Sequence, residues 1–373
     1  MASAGKQVFV GGEHWPAVCV VGPLPPPAGG MANQCEQLVR LLRADGVSVE
    51  LVRTNPPYQP HWIGSLPVVR AGFRLLPYLL HLWQAIGRAA VVHVLANSGW
   101  AWHLFAAPAI LVARWRGTPV IINYRGGNAD SFLARAPRHV LHLLAEGSLR
   151  VTPSVFLQRV FGKYGLTAEV VPNIIDLSRF APVPRRSFAG APHLVVTRNL
   201  EAIYDIPTAL RAFAHIRSVF PQAQLTVAGS GPELERLQAL VSELGLQDSV
   251  RFAGRIANAA MPAIYAAADC LLNPSTVDNM PISILEAFAS GVPVVSTDAG
   301  GIPDLVEHGV SGLLVPVGDA QAMADAALRV LQRVELAAAL RQAGLEQAAH
   351  YAWPQVRARW LAAYRRVAAG SVA

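Results

Sequence analysis

Short runs of apolar and β-branched residues alternate with helix-like stretches along the whole of the 373-residue chain. Continuous apolar strands that alternate with helices form parallel sheets covered on both faces, so this pattern predicts an α/β fold. About six such strands in each half predict two doubly wound, Rossmann-like domains. The predicted strands include residues 17–21, 47–52, 91–95 and 120–123 in the first half and residues 194–197, 225–228, 250–252, 270–273, 292–297 and 312–315 in the second. The predicted helices include residues 33–43, 102–116, 207–219, 232–244, 262–267, 284–290, 320–334 and 353–367.

The segment that links the two domains is predicted at residues 173–192, which are rich in proline and arginine and show no periodicity. This divides the chain into an N-terminal domain, residues 1–175, and a C-terminal domain, residues 176–352. The basic tail, residues 353–373, is expected to form a helix that returns to the N-terminal domain. Because ligands of doubly wound sheets bind beyond the carboxyl ends of the strands, the site is expected in the cleft between the domains.

Composition excludes several classes of protein. Apolar residues make up 53% of the chain and charged residues 15%, which excludes intrinsic disorder. The three cysteines, Cys19, Cys35 and Cys270, form no CxxC pair, which excludes a disulfide scaffold and a cysteine-rich zinc site. No segment matches a signal peptide or a membrane-spanning helix. The expectation is a cytoplasmic protein, with peripheral attachment to the inner face of the membrane as a further hypothesis.

The net charge of +7 is distributed unevenly. Residues 1–180 hold 16 Lys and Arg against 8 Asp and Glu, whereas residues 181–373 hold 15 against 16. A basic half indicates an anionic partner. Lysine occurs only at Lys6 and Lys163, and no RRM, KH or zinc-finger pattern is present, which disfavours nucleic acid. An anionic membrane surface is the better candidate.

Residues 66–90 are the candidate segment for such a surface. The segment is rich in leucine and aromatic residues, and three arginines, Arg70, Arg74 and Arg88, lie among them. This pattern is typical of an interfacial amphipathic segment. The prolines at positions 67 and 77 are expected to break it. An ordinary pair of surface helices packed on a sheet explains the segment equally well.

The most informative stretch is residues 273–306, in which a predicted strand ends in a loop that carries Asp278. Pro281 fits the start of a helix, because its missing N–H costs nothing there. Glu286 then lies about one turn inside that helix, so the two acids do not share it. The backbone N–H groups near Ile282 and Ser283 point outward and, with the helix dipole, form an anion site.

An anion site flanked by two acids suits a sugar diphosphate. In this hypothesis Asp278 holds sugar hydroxyls and Glu286 holds ribose hydroxyls. For this motif alone, a solvated loop acid and an exposed helix acid without a ligand remain the better explanation.

Seven residues separate Asp278 from Glu286, and this spacing resembles the signature of glycosyltransferase family 4, in which the first acid is usually Glu. Five further blocks look like the same family, at residues 170–180, 225–237, 250–256, 261–275 and 291–319. The resemblance is strong in the second half of the chain and weaker in the first. It implies a GT-B fold, two Rossmann-like domains facing across a cleft, and retaining sugar transfer from a nucleotide-diphosphate sugar.

The resemblance also implies roles for residues of the C-terminal half. Arg198 is at the position where the family has an arginine that binds the donor diphosphate. A guanidinium suits this role because its N–H groups can donate two parallel hydrogen bonds to phosphate oxygens. The lysine that the family usually adds is replaced by Tyr204. The turn with Gly229 lines the donor pocket, and the backbone of Ile256 contacts the nucleobase. Gly231, on the same turn, is better explained as a structural glycine.

In the N-terminal half, Gly29 and Gly30 follow the first predicted strand and allow a phosphate or an acceptor to approach the backbone closely. Arg125 replaces a histidine that the resembling family often has after a strand. A protonated arginine cannot act as a general base, although it can stabilise a leaving phosphate or bind an anionic acceptor. His93 and His103 are better explained as structural residues.

The catalytic candidates are therefore Arg198, Asp278 and Arg125. The candidates for donor binding are Gly30, Gly229, Ile256, Met280, Pro281, Ile282, Ser283 and Glu286. Neither a metal nor another cofactor is expected, because no metal dyad or histidine pair with ligand spacing stands out and members of the resembling family work without metal.

The expected activity is transfer of a sugar from a nucleotide sugar to an acceptor hydroxyl. The expected acceptor is a lipid-linked saccharide in the assembly of a surface polysaccharide or glycolipid. One alternative is a non-catalytic GT-B subunit that only binds a sugar nucleotide, which the replaced lysine and histidine favour. A second is an oxidoreductase, which is disfavoured because Leu234 replaces the third glycine of a dinucleotide fingerprint.

Overall fold

The computed structural model describes residues 7–10, 13–26, 29–56, 69–182 and 191–370. The chain forms two compact units: the N-terminal unit is Met1–Ile174 with Trp353–Ala373, and the C-terminal unit is Ile175–Ala352. Each unit contains a six-stranded sheet in which every described strand pairing is parallel. Residues 66–68 of the candidate membrane segment and residues 183–190 of the predicted linker lie outside the described residues.

The N-terminal unit is built on the sheet β4-β3-β5-β6-β7-β8, beside a separate antiparallel pair, β1 and β2. Its strands are β1 (Gln7–Val10), β2 (Glu13–Pro16), β3 (Val18–Gly22), β4 (Val49–Arg53), β5 (Val91–Ala96), β6 (Val120–Tyr124), β7 (Leu149–Thr152) and β8 (Glu169–Val170). Its helices are α1 (Gly30–Ala44), α2 (Val69–Arg88), α3 (Ala107–Trp115), α4 (Ala129–Ala134), α5 (Arg138–Ala145), α6 (Val155–Lys163) and α13 (Trp353–Ala368). A π-helical turn, Trp102–Ala106, leads into α3.

Strands β3, β5 and β6 are buried along their whole length, as their continuous apolar sequences predict. Because side chains alternate across a sheet, Cys19 and Val21 join the core that includes α2 and α3, whereas Val18 and Val20 join the core that includes α1 and α13. The sheet is therefore covered by helices on both faces.

Helix α13 follows the whole C-terminal unit in the chain but packs in the N-terminal unit. Tyr364 lies between Trp15 and Trp360, and its hydroxyl is 2.6 Å from Nδ1 of the buried His93. Arg357 of α13 is paired with Asp45 at 2.7 Å. Buried aromatic packing, as well as charge, thus holds the tail on this unit.

The C-terminal unit is built on the sheet β11-β10-β9-β12-β13-β14. Its strands are β9 (His193–Val196), β10 (Gln224–Ala228), β11 (Val250–Gly254), β12 (Cys270–Asn273), β13 (Val294–Thr297) and β14 (Leu313–Val315). Its helices are α7 (Ile206–Val219), α8 (Leu234–Glu243), α9 (Met261–Ala266), α10 (Ile282–Ala289), α11 (Ala320–Gln332) and α12 (Val334–Ala349). Numbered from β9 as the first strand, the sheet order is 3-2-1-4-5-6, and the order reverses between β9 and β12.

Several elements are missing from the sequence-based predictions. Strand β7 carries Arg150 and is only half buried, and β8 has two residues, so neither contains the continuous apolar run of a central strand. The pair β1–β2 was also not predicted. Helix α12 buries mainly Leu340, Gly344 and Ala348, and this alanine-rich sequence shows little apolar periodicity.

The expectation that Pro77 breaks the segment at residues 66–90 is wrong, because α2 runs continuously from Val69 to Arg88. A proline inside a helix costs about 3 kcal/mol. Tyr78, Leu82 and Ile86 lie on the buried side of α2, and burying each contributes about 1.5–3 kcal/mol. Packing on the sheet therefore outweighs the cost of the proline.

His93 gives the N-terminal unit a specific pH dependence. Burial, together with the charge of Arg125, lowers the pKa of His93 from 6.5 to about 3. Between these values the unfolded chain takes up a proton that the folded unit excludes. We therefore expect the unfolding free energy to fall as the pH is lowered from 6.5 towards 3, by up to about 1.4 kcal/mol per pH unit. The substitution His93→Gln should remove this slope.

Urea titrations at pH 7 and pH 5 test this expectation. All eight tryptophans belong to the N-terminal unit, so tryptophan fluorescence reports on that unit alone. His139→Gln, at an exposed position of α5, is the matched control for the loss of a histidine. An equal pH slope in the wild-type protein and His93→Gln would contradict the assignment.

Candidate functional site

The candidate site lies at the point of the C-terminal sheet where the strand order reverses. Arg198 comes two residues after β9, and Asp278 lies in the loop after β12. These strands are direct neighbours and parallel, so their carboxyl ends meet at one edge of the sheet. In open α/β sheets this position forms the crevice in which ligands bind. The fold thus brings together two residues that are far apart in the sequence.

Arg198 is held by three groups of the same unit. Nη2 forms a salt bridge with Asp278, and Nη1 donates to Ser283 Oγ at 3.3 Å. The guanidinium carbon lies 4.0 Å from the centroid of the Tyr204 ring. The side chains of Arg198 and Asp278 are only 11% and 12% exposed. Nε is buried and has no hydrogen-bond partner among the residues that the structure describes.

The guanidinium lies beside the N-terminus of α10. Pro281 is the N-cap residue, and Ile282 and Ser283 are the first two residues of the helix. The first N–H groups of a helix have no partner within it and carry the positive end of its dipole. Arg198 adds a full positive charge through its contact with Ser283. The arrangement is suited to an anion that accepts several hydrogen bonds, such as a diphosphate.

Asp278 is fixed by its own loop and by a glycine pair. Its Oδ1 accepts the N–H of Asn279 at 2.8 Å, and its backbone carbonyl accepts the N–H of Gly301 at 2.9 Å. Gly300 has φ +57°, and a Cβ atom there would lie 2.1 Å from the Asp278 carbonyl oxygen. Only glycine fits this approach. The loop after β13 therefore positions the acid that binds Arg198.

Glu286 is buried in α10, which rules out the alternative that it is an exposed helix acid. The hydroxyl of Tyr265 donates to its Oε2 at 2.9 Å, and the same hydroxyl lies 2.8 Å from Thr197 Oγ1. Burial raises the pKa of Glu286 to about 7, although Tyr265, Arg179 and Arg198 act in the opposite direction. The carboxyl group therefore titrates near neutral pH, as acids in functional sites often do.

The other predicted donor-binding residues of this unit lie in different surroundings. Gly229 follows β10, and a Cβ atom there would lie 1.9 Å from the Arg198 carbonyl oxygen, so glycine is needed for this close approach. Ile256 follows β11 and is half buried. Met280 is buried among apolar residues that include Ile284.

Gly30 and Arg125 lie at the carboxyl edge of the N-terminal sheet. Gly30 is the first residue of α1. Arg125 follows β6 and donates through Nη2 to the side chain of Asn173. Burial lowers the pKa of Arg125 to about 10, which leaves it protonated at neutral pH. His93 is fully buried, and its pKa of about 3 makes it a poor base, so neither residue is suited to accept a proton from a bound substrate.

Three contributors to the site were not singled out from the sequence. Tyr265 bonds Glu286, Thr197 bonds Tyr265, and Gly300 positions Asp278. The segment with Tyr265 was recognised as a family block, but nothing in its spacing marks the tyrosine. Among the described residues, no group of three or more His, Cys, Asp and Glu side chains could hold a metal ion. No helix within the described ranges is long and apolar enough to cross a bilayer.

Comparison with known proteins identifies the family. Residues 185–347 match the family described as Glycosyl transferases group 1, and residues 28–179 match Glycosyltransferase Family 4. A GDP-mannose-dependent alpha-(1-6)-phosphatidylinositol monomannoside mannosyltransferase of Mycobacterium tuberculosis is 30% identical over 282 residues, which cover 69% of this chain and 72% of the relative. The chain belongs to glycosyltransferase family 4. A protein of the same description from Mycolicibacterium smegmatis is 28% identical, with 87% of this chain and 91% of the relative covered.

Solved structures establish the fold of this family member. Sucrose-phosphate synthase from Thermosynechococcus elongatus superposes with a TM-score of 0.74 at 22% identity, covering 95% of this chain and 100% of that one. Anabaena HepE in complex with UDP gives a TM-score of 0.71 at 18% identity, with 94% and 99% covered. The predicted α/β fold with two Rossmann-like units is confirmed as GT-B, and the protein is a glycosyltransferase of family 4. The oxidoreductase alternative is therefore wrong.

Glu286 should lower the stability of the C-terminal unit at neutral pH. Its folded pKa of about 7 lies above its ordinary value of 4.5, so the folded unit keeps a proton that the unfolded chain releases. Stability from this group is present below pH 4.5 and is lost as the pH rises to 7, by about 3 kcal/mol in all. We expect Glu286→Gln to be stabilised relative to the wild-type protein above pH 7, with the gain absent at pH 4.5.

Hydrogen exchange of the β12 and α10 amides, followed between pH 5 and pH 8, measures this difference. Glu335→Gln, at an exposed position of α12, controls for the loss of a carboxylate in the same unit. If the stability of Glu286→Gln and that of Glu335→Gln depend on pH in the same way, the raised pKa of Glu286 does not contribute to the pH dependence of the C-terminal unit.

Proposed function

We propose that this family 4 glycosyltransferase binds the diphosphate of a nucleotide sugar between Arg198 and the N-terminus of α10. The observation that carries the proposal is the guanidinium of Arg198, which lies at the first turn of α10 through its bond to Ser283. On binding, a diphosphate would replace its hydrogen bonds to water with hydrogen bonds from the guanidinium N–H groups and from the first backbone N–H groups of the helix. The buried Arg198 Nε, without a partner among the described residues, is a further donor for such a ligand.

The proposed reaction is a transfer with retention of configuration. The bond between the anomeric carbon and the diphosphate oxygen breaks, and its electron pair stays on that oxygen. Arg198 and the α10 amides stabilise the developing negative charge, which is the main catalytic contribution. The acceptor hydroxyl oxygen bonds to the anomeric carbon on the same face, and its proton passes to the leaving phosphate oxygen. Such a route requires neither a carboxylate nucleophile nor a metal.

The two acids take different tasks in this proposal. Asp278 is fixed beside the guanidinium, so one role is to orient Arg198 and another is to accept hydroxyl bonds from the donor sugar. Glu286 lies further along α10, where Tyr265 already donates to one carboxylate oxygen. Its role is to accept ribose hydroxyls of the nucleotide. Arg125, in the N-terminal unit, is proposed to bind an anionic group of the acceptor or to stabilise the leaving phosphate.

The proposed acceptor is a lipid-linked saccharide. The curated relatives include the phosphatidylinositol monomannoside mannosyltransferases described above and a putative colanic acid biosynthesis glycosyltransferase of Escherichia coli. The basic character of residues 1–180 suits such a lipid-linked substrate. The protein is therefore proposed to act in the cytoplasm as a peripheral protein on an anionic membrane surface. GDP-mannose and UDP-glucose are the first donors to test, since similar proteins are described with GDP-mannose or UDP-glucose.

A non-catalytic subunit that only binds a sugar nucleotide is the second candidate. The observation that favours it is the absence of the family lysine, because Tyr204 occupies its position. The structure gives Tyr204 a contact with the guanidinium of Arg198, so this position still contributes to the same group. Turnover of a nucleotide sugar by the purified protein distinguishes the two candidates, since a binding subunit would bind the donor without consuming it.

Replacement of Arg198 tests the proposed site. We expect Arg198→Ala to lower kcat/KM for the donor by about 10²–10³, the range found when one donor to a developing oxyanion is removed. Arg217→Ala is the matched control, because Arg217 is also half buried in the C-terminal unit but bonds Ser249 and Pro221 instead. Radiolabelled sugar transfer and calorimetric binding of the free nucleoside diphosphate provide the readouts. Near-normal turnover in Arg198→Ala would overturn the proposal.

Tyr204 is predicted to position Arg198. A buried cation–π contact contributes about 1–2 kcal/mol, so Tyr204→Leu should lower kcat/KM about tenfold, whereas Tyr204→Phe, which keeps the ring, should stay close to the wild-type value. In the Arg198→Ala background, Tyr204→Leu should have little further effect. Equal losses from Tyr204→Leu with and without Arg198 would show that the tyrosine acts independently of the arginine.

A further inference from the structure

The side of the N-terminal unit formed by α2 and α3 exposes several large apolar side chains. On α2, Leu76 and Leu80 are each 66% exposed and Trp83 is 46% exposed; on α3, Leu111 is 51% and Trp115 is 85% exposed. Spacings of three or four residues place the members of each set on one face of their helix. These five residues are named the α2–α3 surface.

The two apolar stripes meet. The rings of Trp83 and Trp115 are in edge-to-face contact, with centroids 6.2 Å apart. The guanidinium carbon of Arg116 lies 4.5 Å from the centroid of the Trp83 ring. Single exposed apolar residues are ordinary on protein surfaces, whereas a contiguous set marks a binding surface.

The surroundings of this surface are cationic. Helices α2 and α3, together with the residue that follows α3, contain five arginines and neither Asp nor Glu. Arg88 and Arg114, near the C-terminal ends of the two helices, are exposed and paired with Glu50 and Glu146 from neighbouring elements. Arg116 faces an indole ring instead of an acid. The surface thus has an apolar centre with a basic border.

We propose that the α2–α3 surface docks the enzyme on an anionic lipid bilayer. The inference deepens the proposed function, on which it rests for the presence of a lipid-linked acceptor in that bilayer. Indole rings settle at the level of the lipid headgroups, leucines reach the acyl chains, and arginines extend along apolar surface to bind phosphates. A second copy of the chain fits less well, because the two helices that form the surface contain no Asp or Glu, and a symmetric contact would bring their arginines against one another.

Vesicle flotation of the full chain tests the proposal. The vesicles consist of phosphatidylcholine with or without phosphatidylglycerol. The wild-type protein should float with the anionic vesicles, less so at high salt. The double variant Trp83→Ser, Trp115→Ser should bind at least about tenfold more weakly, because two interfacial anchors are removed. Arg114→Gln combined with Arg116→Gln should reduce the preference for anionic vesicles.

Matched controls lie in the other unit. Val334→Ser removes a large exposed apolar residue, and Arg329→Gln combined with Arg333→Gln removes two exposed arginines. Both controls should float like the wild-type protein. Quenching of tryptophan fluorescence by lipids brominated in the acyl chains gives a measurement on the unaltered protein. Quenching should occur with anionic vesicles and weaken when Trp115 is replaced by Phe.

Donor turnover with a water-soluble acceptor separates this proposal from the proposed function. A tryptophan variant that loses vesicle binding but keeps this turnover supports the docking surface. If the wild-type protein binds vesicles through these residues but shows no donor turnover, the docking proposal stands and the enzymatic proposal is overturned. The docking proposal is overturned if the wild-type protein does not bind anionic vesicles at low salt, or if the double tryptophan variant binds equally well. It is also overturned if the variant only dissociates a dimer in sedimentation experiments.

Discussion

The contact between Arg198 and the first turn of α10 is the interaction on which the candidate site depends. It exists because β9 and β12 are neighbours at the point where the sheet order reverses. A guanidinium and a helix N-terminus repel each other slightly, and the Asp278 carboxylate offsets this repulsion by its salt bridge to Arg198. The resulting arrangement is positive on balance, almost shielded from water, and fixed before any ligand arrives. These are the properties that make electrostatic stabilisation effective in a low-dielectric environment.

The surroundings of this contact show how function and stability compete. Glu286 is buried with a raised pKa, and only Tyr265, the charge of Arg198 and that of Arg179 favour its ionised form. A core formed for stability alone would contain an apolar residue at this position. The N-terminal unit also buries a titratable side chain, but His93 is neutral at neutral pH and is bonded to Tyr364. One buried titratable group thus supports packing, whereas the other keeps a polar group close to the candidate site.

Much of the fold follows from the sequence, because central parallel strands need continuous apolar runs and their positions are therefore visible. The elements that escaped prediction lack that signal: β7 contains an arginine, and β8 is two residues long. The site was predictable where local rules apply, as at Pro281, which caps α10. Tyr265 and Gly300 were not, because their roles come from packing between segments distant in sequence.

The position of α13 has a consequence for the synthesis of the protein. This helix supplies Trp360 and Tyr364 to one core of the N-terminal unit, yet it is translated after every residue of the C-terminal unit. Until α13 has been synthesised, one face of the N-terminal sheet is therefore incompletely covered. The C-terminal unit needs no later residues to complete its own core. The N-terminal unit can thus complete this core only after the C-terminal unit has been translated.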